Sequence, residues 1–330
     1  MARVAVMFTG GTISMAHDPV AGGNVPLLDG ASILARTPGL AGIAEVVPVD
    51  RGLTPASHYR FADLVAIGTE LDDLLADPTI DGAVVVQGTD TIEETSFAWD
   101  LLHDGTAPIV VTGAMRASDA PDFDGPANLR DAVAAAASPA LRGVGVVVTL
   151  AGTLEAADDV TKMHTTALDT FRSPNHGRLG TVRDGVVRLE RARGPRRHLT
   201  AGAAVDARER VHLISAGIGT DGSLLDAAVA AGADGIVVAA TGSGNTSPGM
   251  LAAGQRAIAA GIPVVLASRC PSGGVGTAYA FPGGGATWVR AGAIPAGTLC
   301  AIKARVAVAL GLGAGLDQDG LAALLADPIG

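Results

Sequence analysis

Cysteine is scarce in this chain: two residues in 330, Cys270 and Cys300, both in apolar or turn surroundings. Their spacing matches no metal site, and two isolated thiols make no disulfide framework, so a reducing compartment is the default. Basic blocks are missing as well. The net charge is −10, and the one locally basic stretch, 191–197, reads as a solvated connector between patterned segments. Binding to a phosphate backbone would lack its main driving force, which excludes a nucleic-acid partner. No apolar run approaches the ~20 residues a bilayer-spanning helix needs, so no membrane partner is expected. The first strand pattern begins at Arg3, which leaves no room for a signal peptide, and a cytoplasmic location is the expectation. His164, His176 and His212 have no partners at metal-ligand spacing and read as non-catalytic; no metal and no cofactor is expected.

What the chain has is apolar residue, 48% of 330, enough for two domains. Its 45 glycines keep no fixed period, which excludes collagen-like and low-complexity readings. Short β-branched runs at 4–8, 45–49, 82–86, 109–112 and 144–149 alternate with helical spacing at 61–75, 93–102 and 128–137. Such alternation predicts an α/β fold with a mainly parallel sheet and helices on both faces. Residues 1–190 make the larger N-terminal catalytic domain and 191–209 a linker. Residues 210–330 make a smaller C-terminal α/β domain, with strands at 211–215, 235–239 and 263–267. Its helices are expected at 223–231, 248–260, 299–310 and 320–325.

Two of the strand runs break into glycine and threonine where a buried parallel strand would end: Phe8-Thr9-Gly10-Gly11-Thr12-Ile13 and Gln87-Gly88-Thr89-Asp90-Thr91. Ligands of open α/β sheets sit at the carboxyl ends of strands, so one rim would receive two hydroxyls and an acid. A threonine hydroxyl is a weak nucleophile unless something activates it. Thr91 followed three residues later by Glu94 fits a capping box, and that helix N-terminus would favour an anion at the rim. The glycine-rich stretch 17–30 lacks periodicity and suits either a mobile lid or a static surface loop.

Four segments in order, FTGGTIS, QGTDTIEET, VTGAMRASDAPDFDGPANLRDAV and DDVTKMHTTALDTFRSPNHGRLG, resemble the bacterial-type L-asparaginase family. The likeness extends through SGN at 243–245 and SRCPSGG at 268–274, and so covers nearly the whole chain. It implies a two-domain amidohydrolase that converts L-asparagine to L-aspartate and ammonia through a threonine acyl-enzyme. It also implies a homotetramer built as a dimer of dimers, with each active site between one subunit's N-terminal domain and its neighbour's C-terminal domain. Broader asparaginase/glutaminase or D-asparagine amidase activity, or a non-catalytic amino-acid-binding relative, are the alternatives.

The resemblance assigns roles residue by residue. Thr12 becomes the nucleophile, with Gly10 and Gly11 letting backbone N–H groups approach the developing oxyanion. Thr89, Asp90 and Lys162 form the second catalytic group, in which the amine relays a proton if desolvation lowers its pKa. Asp90 also grips the substrate ammonium. Ser57, His58, the Ala114 backbone carbonyl and Asn245 are the substrate-binding candidates, while Met115 and Arg116 read as structural. The chain departs from better-known members in two places. Its segment AHDPVAGGNVPLLDG carries no tyrosine, and GGVGTAYAFPGGG carries no glutamate to pair with one. Of the two tyrosines, Tyr59 and Tyr279, the second lies near the missing glutamate's position and is the candidate to supply a phenol.

Overall fold

Strand β1 (Arg3–Phe8) sends Val4, Val6 and Phe8 to one face and Ala5 and Met7 to the other, and all five are buried. A strand covered on both faces belongs inside a parallel sheet with helices on either side. The computed structural model describes residues 1–199 and 204–328, which divide into two units, Met1–Gly194 and Pro195–Gly330.

In the first unit β1 leads into a hairpin of β2 (Met15–Asp18) and β3 (Gly23–Pro26), then α1 (Gly30–Ala35), β4 (Glu45–Asp50) and α2 (Phe61–Leu75). Next come β5 (Gly82–Val86), α3 (Ile92–Leu102), β6 (Ile109–Thr112) and α4 (Gly125–Ala136). The unit ends with β7 (Val146–Leu150), β8 (Thr153–Ala156), the short pair β9 (Thr161–Lys162) and β10 (Phe171–Arg172), β11 (Gly180–Arg183) and β12 (Val186–Leu189). Among the described residues the main sheet has eight strands, ordered β12-β11-β8-β7-β6-β5-β1-β4. Pairing is parallel from β4 through β7 and antiparallel beyond it.

Each face of that sheet has its own core. Val4, Val6, Phe8, Val84, Val86 and Val110 pack with Leu129, Ala132 and Val133 of α4. Ala5, Met7, Ala83, Val85 and Val111 pack with Ile67 and Leu71 of α2 and Ile92 and Trp99 of α3. Each fully buried Val, Leu, Ile, Phe or Met among them contributes about 1.5–3 kcal/mol. Trp99, 1% exposed, satisfies its one polar atom by donating Nε1–H to the Leu64 carbonyl at 3.0 Å.

The second unit alternates β13 (Val211–Ser215), α5 (Ser223–Ala230), β14 (Gly235–Ala240), α6 (Pro248–Ala259) and β15 (Val264–Ser268). It closes with α7 (Gly285–Arg290), β16 (Ile294–Pro295), α8 (Ala301–Gly313) and α9 (Gln318–Leu325). Its sheet is parallel throughout, ordered β13-β14-β15-β16. The chain is therefore an α/β protein with a larger, mainly parallel N-terminal unit and a smaller C-terminal one. Part of the linker expected at 191–209 lies outside the described residues, which omit 200–203.

Two local expectations are corrected. The first is the solvated connector. Arg193 is buried, its side chain 5% exposed, and pairs with Asp100 at 2.6 Å and Asp158 at 2.9 Å. It also donates to the Val144 carbonyl at 2.7 Å. Burial works against its charge, but the two carboxylates outweigh that and raise its pKa. Arg197 is likewise drawn in, pairing with Asp327 at 2.7 Å. A basic stretch looks solvated in a sequence because its acidic partners lie far away along the chain. The second correction concerns the capping box at Thr91. That residue ends a 3-10 turn (Thr89–Thr91) with φ −118° and ψ 15°, not the extended backbone of a capping residue, and makes no side-chain cap. Its hydroxyl donates instead to the Ala56 carbonyl at 3.3 Å.

Candidate active site

Strands β1 and β5 are parallel neighbours and end in register, Phe8 opposite Val86. Thr9 continues the ladder by donating its N–H to the Val86 carbonyl at 3.0 Å. The chain then turns through Gly10 and Gly11, at φ +106° and +96°. A Cβ on Gly11 would stand 2.2 Å from the Gly88 nitrogen, so the two threonine-bearing loops touch backbone to backbone. Only glycine combines that conformation with that approach. One residue on, Thr12 opens a 3-10 turn (Thr12–Ser14) closed by the Ser14 N–H and hydroxyl, which donate to the Gly11 carbonyl at 2.9 and 2.7 Å. Thr12 is half-buried, whereas Thr89, opening its own turn, is 5% exposed.

The tip of β6 joins them. A Cβ on Gly113 would meet the Gln87 carbonyl oxygen at 2.5 Å and Thr89 Cγ2 at 3.1 Å. Ala114, the next residue, is fully buried. This turn is clamped from α4: Asn128 Nδ2 donates to the Gly113 carbonyl at 3.0 Å. The Asp124 carboxylate accepts the N–H groups of Met115, at 3.1 Å, and Arg116, at 2.9 Å. Ser57 and His58 are exposed on a 3-10 turn (Ala56–His58) that lies against the Gly88 loop.

Lys162 arrives from the β9–β10 hairpin. Its Nζ stands 2.9 Å from Thr89 Oγ1 and 2.6 Å from Asp90 Oδ1. The lysine side chain is 13% exposed and the aspartate 80%. A packed amine thus meets one hydroxyl and one open carboxylate. The hairpin is pinned at Phe171, which is buried in the second core, and at Ser173, which donates to the buried Glu155 carboxylate at 2.6 Å. Burial pushes the Glu155 carboxyl up, with the Ser173 hydrogen bond opposing. Beyond it, Asp159 accepts the N–H groups of Asn175, at 3.1 Å, and His176, at 2.7 Å.

The first unit therefore gathers Thr12, Ser57, His58, Thr89, Asp90, Ala114 and Lys162 on the carboxyl rim of one sheet. Asn245 and Tyr279 belong to the second unit. The turn holding Asn245 is closed by Thr241, whose N–H donates to the Asn245 carbonyl at 2.9 Å. Asn245 Oδ1 is buried with no hydrogen-bond partner among the described residues. Tyr279 is 48% exposed and lies against Phe281, ring centroids 5.9 Å apart. Thr246 N–H to the Gly283 carbonyl, 2.8 Å, and Gly276 N–H to the Ser243 carbonyl, 2.8 Å, stitch these two segments together. The stretch 17–30, read as lacking periodicity, holds most of the β2–β3 hairpin. Nothing in the pattern of residues singled out Asp124 and Asn128 as clamps. Their only signal was an acid and an amide four residues apart at the start of a helical pattern. Among the described residues no three His, Cys, Asp or Glu side chains group to hold a metal ion, and no helix is long and apolar enough to cross a membrane.

These features define a class before they define a family: a two-unit α/β protein with a hydroxyl, amine and carboxylate assembled at parallel strand tips. Residues 3–194 match the family model described as asparaginase, N-terminal, and residues 210–325 match the glutaminase/asparaginase C-terminal domain. The chain belongs to the bacterial-type L-asparaginase family. It is 35% identical to a probable L-asparaginase of Deinococcus radiodurans over 96% of this chain and 95% of that one. It is 36% identical to a probable periplasmic L-asparaginase of Haemophilus influenzae over 70% of this chain and 66% of that one. Among solved structures, the probable cytoplasmic L-asparaginase from Campylobacter jejuni superposes with a TM-score of 0.88 at 27% identity. That match covers 98% of this chain and 99% of the other.

Proposed function

We propose that this protein hydrolyses the side-chain amide of L-asparagine to L-aspartate and ammonia through an ester on Thr12. The observation that carries the reading is the Lys162 Nζ contact to Thr89 Oγ1, 2.9 Å, at the rim where the Thr12 turn abuts Gly88. Thr12 Oγ bonds to the carboxamide carbon while its proton leaves with the departing ammonia. Water then cleaves the ester and restores the hydroxyl. Thr89, Lys162 and Asp90 relay the protons, the 2.9 Å contact serving transfer in either direction. Backbone N–H groups of the glycine turns face the developing oxyanion.

Substrate is held by Ser57 at its α-carboxylate, by Asp90 at its α-ammonium and by the Ala114 carbonyl at the amide nitrogen. His58, Asn245 and Tyr279 complete the binding set in this reading. The resemblance also supports a homotetramer, to be measured by light scattering. The cytoplasm is the proposed location, as named for the Campylobacter jejuni protein; the Haemophilus influenzae relative is named periplasmic, so cell fractionation decides.

Ammonia release measured on L-asparagine, L-glutamine and their D-forms tests the function, with Thr12→Ala as the control. The expected result is turnover fastest on L-asparagine and abolished in Thr12→Ala. Substantial activity in that variant would move the nucleophile to Thr89. Comparable rates on glutamine would favour the broader amidase, since one methylene is worth only ~1–3 kcal/mol of discrimination.

A further inference from the structure

The β2–β3 hairpin follows Thr12 directly, and the β9–β10 hairpin carries Lys162. They come from different parts of the chain, yet both are tied to one loop, residues 116–123. Ser118 donates its N–H to the Met15 carbonyl at 2.8 Å, and Asp119 Oδ2 accepts the N–H of His17 at 3.0 Å. On the other side, Arg116 Nη1 donates to the Thr166 carbonyl at 2.8 Å.

Arg116, which follows the clamped Gly113-Ala114-Met115 turn, is itself held at two points: its N–H meets Asp124 at 2.9 Å and its Nε meets Asp122 at 2.9 Å. The segment it grips, 163–170, is folded on itself. Thr166 and Ala167 donate N–H groups to His164 Nδ1 at 3.0 and 3.1 Å, and His164 donates its own to Thr170 Oγ1 at 2.8 Å. Lys162 lies four residues from that grip.

We propose that Arg116 is a positioning residue, bracing the lysine hairpin against the loop that also anchors the hairpin after Thr12. It acts through Lys162 and touches no reacting atom, and the inference rests on the roles proposed above for Thr12 and Lys162. Without the brace, the 163–170 segment loses its tie to the sheet-end loops and Lys162 loses its fixed distance to Thr89. A displacement of about 1 Å at a reacting group can cost on the order of 100-fold in rate.

The test uses the full-length enzyme and three variants. Arg116→Met removes the guanidinium and leaves the backbone contact to Asp124. Its kcat on L-asparagine is expected to fall about 10- to 100-fold, with KM changed less than about threefold. Arg116→Lys keeps one N–H for the Thr166 carbonyl and recovers most of the rate. Amide hydrogen exchange of Arg116→Met should quicken in 163–170 and in 15–26 while the core strands stay protected. With Asp119→Ala added, the two losses should not multiply, since both variants loosen the one loop, 116–123, that anchors the two hairpins.

Unchanged kcat in Arg116→Met, faster exchange confined to 116–122, or fully multiplicative losses would each overturn the proposal. The exchange result does not depend on the chemistry. A Thr12→Ala enzyme with full activity would sink the reading of the site and leave the brace to be judged on exchange alone.

Discussion

Replacing Lys162 with methionine separates chemistry from structure, because the two costs differ by orders of magnitude. The lysine side chain is 13% exposed, so its stem is packed, and methionine keeps most of that packing. Its partner Asp90 is 80% exposed, which places the ion pair in solvent-screened surroundings. Pairs of that kind contribute roughly 0–1 kcal/mol, so the folded state should lose no more than that. A proton relay is worth far more to the rate, typically about 10²- to 10⁴-fold. At about 1.4 kcal/mol per tenfold, that is ~3–6 kcal/mol of transition-state stabilisation.

Initial rates of ammonia release give the first quantity, and urea unfolding followed by tryptophan fluorescence gives the second. Trp99 and Trp288 are both buried, one in each unit, so each unit reports its own unfolding. The expected result is a rate loss of at least 100-fold with a stability loss under ~1 kcal/mol. A variant within about fivefold of wild-type kcat, or one that unfolds more than ~2 kcal/mol more easily, would refute the reasoning. Lys162 would then be a structural contact.

Arg193→Met should show the opposite pattern, because it removes the guanidinium that faces the carboxylate of Asp100, 1% exposed. The expected loss is about 3–5 kcal/mol in urea unfolding of the first unit, with kcat of the folded fraction unchanged. Asp131 is pushed up to about 6, first by burial and then by Asp184, against the opposing pull of Arg130. A raised carboxyl destabilises the fold as pH climbs through the window from 3.8 to about 6. Asp131→Asn should therefore gain stability at pH 8, by at most ~1 kcal/mol once partial exposure is allowed for, and gain nothing at pH 4. Tyr279→Phe tests the phenol at the second unit: a rise in KM or fall in kcat of about tenfold is expected, and unchanged kinetics would remove Tyr279 from the site.

The central strands were legible because burial on both faces leaves a continuous β-branched signature, as in Val84-Val85-Val86. The segment 144–149 starts two residues and ends one residue ahead of the observed β7 (Val146–Leu150), where Gly143 and Gly145 both take positive φ. The outer strands were not legible. Strands β9 and β10 have two residues each, too short for any period, and exist because Lys162 and Phe171 pair across a hairpin. The hairpin β2–β3 hid in a glycine-rich stretch for a related reason: its pairing depends on Ser118 and Asp119, about a hundred residues away. The solvated reading of Arg193 failed on the same ground, its partners being Asp100 and Asp158. At the rim, residue identities pointed to the hydroxyls and the acid. The contact of Lys162 with Thr89 spans 73 positions, beyond any local pattern, and was expected only through the family resemblance.

The candidate site joins two kinds of support. Thr12, Thr89 and Ala114 are fixed by backbone contact among three adjacent strand tips, where Gly11 meets Gly88 and Gly113 meets Gln87. Such contacts fix the backbone at each threonine to the geometry of the sheet itself and leave only χ1 to place its hydroxyl. The amine is different. Lys162 reaches Thr89 from a two-residue strand whose order depends on side chains: Phe171 in the core, Glu155 under Ser173, and Arg116 on Thr166. Precision in a proton relay is set by its least constrained member. Substitutions at the close-packed glycines of the strand tips, Gly11 and Gly113, should therefore destroy the fold of the rim outright. Substitutions beneath the lysine hairpin should leave a folded enzyme whose rate alone is impaired, and that is where specificity and turnover can change while the nucleophile stays in place.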